Sequence, residues 1–193
     1  MVLRATHASS SLIISLKPHS LAVGRDGTHV VSWDLGGRLY GVYRDDVTSR
    51  RALSGEVLEK RGSGASRSRT WLTPSGADAV VDGAATFARE TADAITTPAW
   101  RWSAPVEPVV AQLVLSHLQL CAQFGAAQAR DDAGRFAAVY RPIGILPPDQ
   151  YLSLVVQATV GCSFNTCAFC GPCHDGYRVK SPDQFRAHVE DVR

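Results

Sequence analysis

Four of the five cysteines in this chain are Cys162, Cys167, Cys170 and Cys173. In Gly161-Cys-Ser-Phe-Asn-Thr-Cys-Ala-Phe-Cys170, four residues separate the first pair and two separate the second. Closely spaced thiolates on one loop are soft ligands, and their spacing argues for iron–sulfur chemistry rather than core packing. Three thiolates fill three corners of a four-iron cube and leave one iron open to a small molecule. Two other chemistries use the same residue types. Plant-type [2Fe–2S] electron carriers share the four-then-two spacing but need a fourth cysteine well downstream, and only Cys173 follows. A structural zinc site could use Cys162, Cys167, Cys170 and Cys173, with His174 beside them. Such sites, however, usually join two knuckles rather than one compact run.

The elements around these residues would have to position them. Pro142 and Pro147-Pro148 mark a boundary, and Tyr151–Thr159 is then a continuous apolar run of strand length. Such a run predicts a strand buried on both faces, as in a parallel sheet. Downstream, Ser181-Pro-Asp-Gln184 is a capping-box signature with proline at the first helical turn. Phe185, Val189 and Val192 share one face of the helix it opens. Strand, cysteine loop and helix make one β/α unit, and reactive groups in such units sit at the C-terminal ends of strands.

Upstream, His29–Trp33 and Arg38–Tyr43 predict two strands with Gly36-Gly37 between them, and Trp33, Tyr40 and Tyr43 read as packing residues of that sheet. Arg51–Leu53 and Glu56–Lys60 predict a second short hairpin, followed by a solvated basic loop over Arg61–Arg69. Thr73-Pro74 is an N-cap with proline at the first helical position. The helix it starts is expected to run to about Ile95, with Val80, Ala84, Phe87, Ala88 and Thr91 on its less polar face. Val109–Phe124 reads as a second helix carrying a core Cys121 beside a half-exposed His117, and Asp131–Val139 as a third. The acidic pairs Asp45-Asp46 and Asp131-Asp132 read as solvated turns. Residues 1–27 read as a disordered tail or extension, of a composition that also suits an organellar transit peptide.

Twenty basic against eighteen acidic residues give a net charge of +2, too balanced to imply nucleic acid or a membrane surface. No apolar run approaches the ~20 residues of a transmembrane helix. Clustered cysteines without an obvious secretory signal favour metal binding in a cytoplasmic setting over disulfides.

Residues 146–193, about a quarter of the chain, resemble the start of the catalytic barrel of radical S-adenosylmethionine (SAM) proteins. The motif Gly-Cys-Ser-x-Asn-x-Cys-x-Phe-Cys is similar to that of a subset with four residues between the first two cysteines. The resemblance implies an α/β fold, with a small α+β N-terminal domain over residues 28–145 and the first β/α unit of an incomplete TIM-like barrel over 146–193. It implies that Cys162, Cys167 and Cys170 ligate a [4Fe–4S] cluster, that SAM chelates the open iron, and that Phe169 lies along its adenine. One electron, from a donor such as flavodoxin or ferredoxin, would cleave SAM to a 5′-deoxyadenosyl radical that abstracts hydrogen from an unknown small-molecule substrate. Gly171-Pro-Cys-His174 departs from the acidic and aromatic residues usual after this motif, and Cys173 reads as a non-ligand, the alternative being a fourth ligand that closes the open iron. The barrel's later strands do not follow. The expectation is therefore a truncated gene product or fragment, with a non-catalytic remnant as the alternative to an active enzyme.

Overall fold

The computed structural model describes residues 1–62, 64–141, 154–164 and 176–192. They divide into two compact units, Met1–Ala133 and Gly134–Arg193.

The first unit is a meander. Strands β1 (Val2–His7), β2 (Ser10–Lys17), β3 (Ser20–Arg25), β4 (His29–Trp33), β5 (Leu39–Arg44), β6 (Val47–Arg51), β7 (Val57–Arg61) and β8 (Ser68–Trp71) each pair antiparallel with the next. A short β9 (Arg101–Trp102) pairs with the free edge of β1 and completes nine strands. The side chains alternate as one-sided burial requires. Leu12 and Ile14 are buried around an exposed Ile13, and Leu21, Val23, Val31 and Trp33 continue the same inner face. Tight turns set the register. Asp26 and Gly27 have φ of 52° and 72°, and Asp45 and Asp46 have φ of 49° and 62°. Asp45-Asp46 fills the two-residue turn between β5 and β6, where successive positive φ values match the strand twist, and Asp26-Gly27-Thr28 makes a three-residue loop between β3 and β4.

Helices α1 (Pro74–Thr96) and α2 (Pro108–Gln123) cover the inner face. The Thr73 hydroxyl accepts the Gly76 N–H at 3.2 Å and caps α1, with Pro74 in the first turn. Val81, Ala84, Phe87 and Ala88 of α1 join Val114 and Leu118 of α2 in one core with the sheet. The β4–β5 turn lies against the α2 backbone, where a Cβ on Gly37 would come within 2.8 Å of the Leu120 carbonyl. Helix α3 (Ala126–Val139) brings Asp132 between Arg38 and Arg51, at 2.7 Å and 3.0 Å.

Several expectations change here. Residues 1–27 are not a disordered tail, because β1–β3 occupy them and bury Ala5, Leu12, Ile14, Leu21 and Val23. The basic segment after Arg61 is not wholly a loop, since Ser68–Trp71 is the edge strand β8. Trp33 is core, but Tyr40 and Tyr43 are 43% and 38% exposed and do not pack inside. Asp45-Asp46 is a turn as read, whereas Asp132 is buried in α3 with two arginine partners.

The second unit holds a two-stranded ladder, β10 (Thr159–Val160) with β11 (Arg178–Val179), and a helix α4 (Pro182–Val192). The ladder is antiparallel. The expected buried strand over Tyr151–Thr159 is not present in its described part: the chain is irregular before Thr159, with Leu154 70% and Val156 39% exposed. The α/β reading, with the first β/α unit of a TIM-like barrel, is therefore overturned. Among the described residues every strand pair is antiparallel, and the fold is α+β. The physical reason is local. The segment that leaves the cysteine loop turns back and fills the hydrogen-bonding edge of β10 itself, so no crossover connection is needed.

Candidate metal centre

The residues around Cys162 form a closed-ended loop. Thr159 pairs with Val179 and Val160 with Arg178, and the Lys180 N–H extends the ladder to the Ala158 carbonyl at 3.0 Å. The ladder thus joins the described chain on either side of the cysteine segment. Gly161 turns the chain out of β10 with φ of 71°, a left-handed conformation that glycine adopts without steric cost. Cys162 follows directly and is half-buried. Phe164 and Tyr177, near the two ends of the loop, are 67% and 49% exposed. Cys167, Phe169, Cys170 and Cys173 lie outside the described residues. Among the described residues no three His, Cys, Asp or Glu side chains converge on a common point.

Helix α4 fixes the chain on the far side of the ladder, and its start follows from sequence. The Ser181 hydroxyl accepts the Gln184 N–H at 3.2 Å, and the Gln184 carboxamide accepts the Ser181 N–H at 3.0 Å. This is the reciprocal capping box. The face of α4 that turns inward carries Phe185, His188, Val189 and Val192, of which His188 is the buried one.

His188 secures the irregular segment that leads to β10 and Cys162. Its Nε2 accepts the Gln157 backbone N–H at 2.9 Å. The Gln157 side chain in turn bridges Arg141, accepting its N–H at 3.0 Å and donating to its carbonyl at 2.9 Å. Tyr140 donates its hydroxyl to the Val155 carbonyl at 2.8 Å and meets the His188 ring edge-on at 5.5 Å. These contacts were not legible beforehand. The one available signal was a histidine set between Phe185 and Val189 on an apolar helix face.

Electrostatics at the base of the loop favour anions. Arg178 sits across the ladder from Val160, two residues before Cys162, and Lys180 follows it. Burial, then the charge of Arg178, pushes the Lys180 ammonium below its ordinary pKa. Positive charge of this kind lowers the pKa of nearby thiols and stabilises thiolates. Cys121 is the opposite case. It is 1% exposed within the core of the first unit, and burial pushes its thiol up to about 12. It is core filler beside a half-buried His117, as its sequence context suggested.

Among the described residues no single helix is long and apolar enough to cross a membrane. No protein-family model, curated protein or solved structure matches the chain.

Proposed function

We propose that Cys162, Cys167 and Cys170 hold a [4Fe–4S] cluster whose open iron takes S-adenosylmethionine. The observation that carries this reading is the four-then-two cysteine spacing, in a loop that Gly161 opens and an antiparallel ladder closes. The donor chemistry fits. Cys162 is half-buried rather than sealed in a core, and Arg178 and Lys180 bring positive charge to the base of its loop. Three thiolates suit an iron–sulfur centre better than a hard cation. When bound, the cluster supplies the single electron that breaks the sulfonium C–S bond of S-adenosylmethionine.

The protein's own contribution is binding and position. The cysteines supply the soft ligands. Gly161 lets the chain leave the ladder toward them without strain. The His188–Gln157 and Tyr140–Val155 bonds hold the segment that enters β10. Phe169, the aromatic before the third ligand, supplies an apolar face for an adenine.

Anaerobic reconstitution with iron and sulfide, followed by assay for 5′-deoxyadenosine, tests the reading. A four-iron spectrum with 5′-deoxyadenosine formed from S-adenosylmethionine supports it. Zinc without iron, or a [2Fe–2S] spectrum, overturns it. A second reading, a cluster-binding protein that does not cleave S-adenosylmethionine, is favoured by the absence of a parallel β/α unit among the described residues. Its signature is a four-iron spectrum with no 5′-deoxyadenosine.

A further inference from the structure

The first unit has two faces, and they handle charge differently. On the helix side, a cleft of about 600 Å³ lies between β3–β5 and α1, and a neighbouring one of about 510 Å³ reaches β7. Their guanidinium groups are neutralised internally, Arg25 by Glu90 at 2.9 Å and Arg61 by Glu59 at 2.7 Å. The opposite face of β5–β8 is built otherwise. Tyr43 stands opposite Thr48, Thr48 opposite Lys60, and Lys60 opposite Arg69, which makes one row across four strands. Arg50, Leu58 and Trp71 make the next row. Residues directly opposite one another share a face, and so do residues two apart on one strand. Arg67 joins them at a cleft of about 450 Å³ that Tyr43, Thr48, Arg50 and Lys60 also line.

Four cations therefore gather on one sheet face. Among the described residues none of Arg50, Lys60, Arg67 and Arg69 takes part in an ion pair. One acid, Asp46 of the β5–β6 turn, lines the same cleft, and the cations outnumber it. Asp46 accepts the Tyr43 hydroxyl at 3.0 Å, and Glu56 accepts the Ser54 hydroxyl at 3.1 Å. The bond to Asp46 also pins the Tyr43 ring, which is 38% exposed, while Trp71 on the edge strand is 59% exposed.

We propose that this face of β5–β8 binds single-stranded nucleic acid, with Tyr43 and Trp71 as stacking platforms and Arg50, Lys60, Arg67 and Arg69 on the phosphates. Charge complementarity and the interleaved rings select this occupant. Aromatic side chains on a basic groove stack bases of any sequence, while cations follow the backbone. Tyr43 and Trp71 are three strands and two residues apart, roughly 16 Å, which a strand of about four stacked nucleotides spans. An anionic bilayer fits less well. It calls for apolar side chains that reach past the cations, and the Tyr43 hydroxyl is held at the surface by Asp46. The overall charge of +2 conceals the patch, because the surplus is local rather than global. The proposal stands on the first unit and is independent of what the cysteine loop binds.

Fluorescence anisotropy of the full chain with labelled oligothymidylate and oligouridylate is the test. Binding is expected at low salt, with log K falling against log[salt] at a slope of about −3 for four phosphate contacts. The exposed pair Arg50→Glu with Arg69→Glu should abolish it. Trp71→Ala and Tyr43→Ala should each weaken it about tenfold with the salt slope unchanged. Far-UV circular dichroism checks folding. If the double charge reversal does not fold, Trp71→Ala on the edge strand still decides the matter. No binding at low salt overturns the proposal, as does affinity indifferent to Trp71→Ala. So does equal affinity for heparin or phosphatidylserine vesicles, which would mark a generic polyanion or membrane surface.

Discussion

The Nε2 atom of His188 accepts the backbone N–H of Gln157 at 2.9 Å. Nε2 must therefore be unprotonated, and the imidazole is neutral with its proton on Nδ1. Burial first, then the charge of Lys180, lowers its pKa from 6.5, against smaller opposing effects of Asp191 and Val139.

That linkage has a direction. A histidine whose folded pKa lies below its unfolded value of 6.5 contributes stability that is full above that pH. The contribution is lost as pH falls toward the lowered folded value. The protection factor of the Gln157 amide in hydrogen exchange should drop as pH is lowered from 7 to 5, about fivefold for a bond worth about 1 kcal/mol. His188→Phe should give low protection at every pH. An amide whose protection ignores pH in the native chain would contradict the assignment.

His29 adds a term of the same sign in the first unit. Burial, then Arg44 and Arg25, lowers its pKa from 6.5. Its ring lies 4.4 Å from that of Phe87. Thermal melts of His29→Phe should therefore depend less on pH between 7 and 5 than those of the native chain. Equal dependence would show that His29 does not contribute.

Asp132 carries the largest single-residue stability prediction. It is 6% exposed, and the side chain of Arg51 beside it is 1% exposed. Burial by itself would raise the Asp132 pKa, but hydrogen bonds from Arg38 and Arg51 outweigh it and hold the carboxyl below its ordinary value. Asp132→Ala leaves a buried guanidinium without its counter-ion, and urea denaturation should register a loss of about 3 kcal/mol. Its stabilisation is complete above the unfolded pKa of 3.8 and disappears as pH falls through the lower folded one.

Cysteine replacements separate ligands from bystanders. Cys162→Ala, Cys167→Ala and Cys170→Ala should each reduce reconstituted iron and sulfide to near background, whereas Cys173→Ala should not. Iron retained in any of the first three, or lost with Cys173, would redraw the ligand set.

Cys121 offers an internal control. With its thiol pushed up to about 12 by burial, it should resist iodoacetamide at pH 8 in the folded chain and react once urea unfolds it. Peptide mapping by mass spectrometry reads this directly. Rapid labelling in the native state would mean that the core around α2 is open.

The helices were the legible part of this sequence. Thr73-Pro74 and Ser181-Pro-Asp-Gln184 announced two helix starts, because a hydroxyl cap and a first-turn proline act within four residues of chain. The hairpin at Asp26-Gly27 was equally local and carried the strongest turn signal in the chain. Leu21 and Val23 before it and Val31 and Trp33 after it carry the matching alternation, which a tail over residues 1–27 would not need. The expected parallel strand failed for a different reason. An apolar run such as Leu154–Val156 states that burial is available, not which partner supplies it, and here the adjoining chain pairs with β10 instead. The burial of Asp132 is not legible because an acidic pair in sequence does not reveal two arginines, Arg38 and Arg51, brought to it from sequence-distant positions. Of the proposed centre, the cysteine spacing was plain, but His188 and Gln157 were not, since their bond joins positions 31 residues apart.

The ladder of β10 and β11 changes what a metal has to do. Tethering the ends of a segment as long as Gly161–Tyr177 costs about 2.5 kcal/mol of chain-closure entropy, and pairing Val160 with Arg178 meets that cost during folding. A ligand at the proposed centre would meet a segment whose two ends are already joined. Loss of the proposed cluster should accordingly leave those two ends one strand spacing apart.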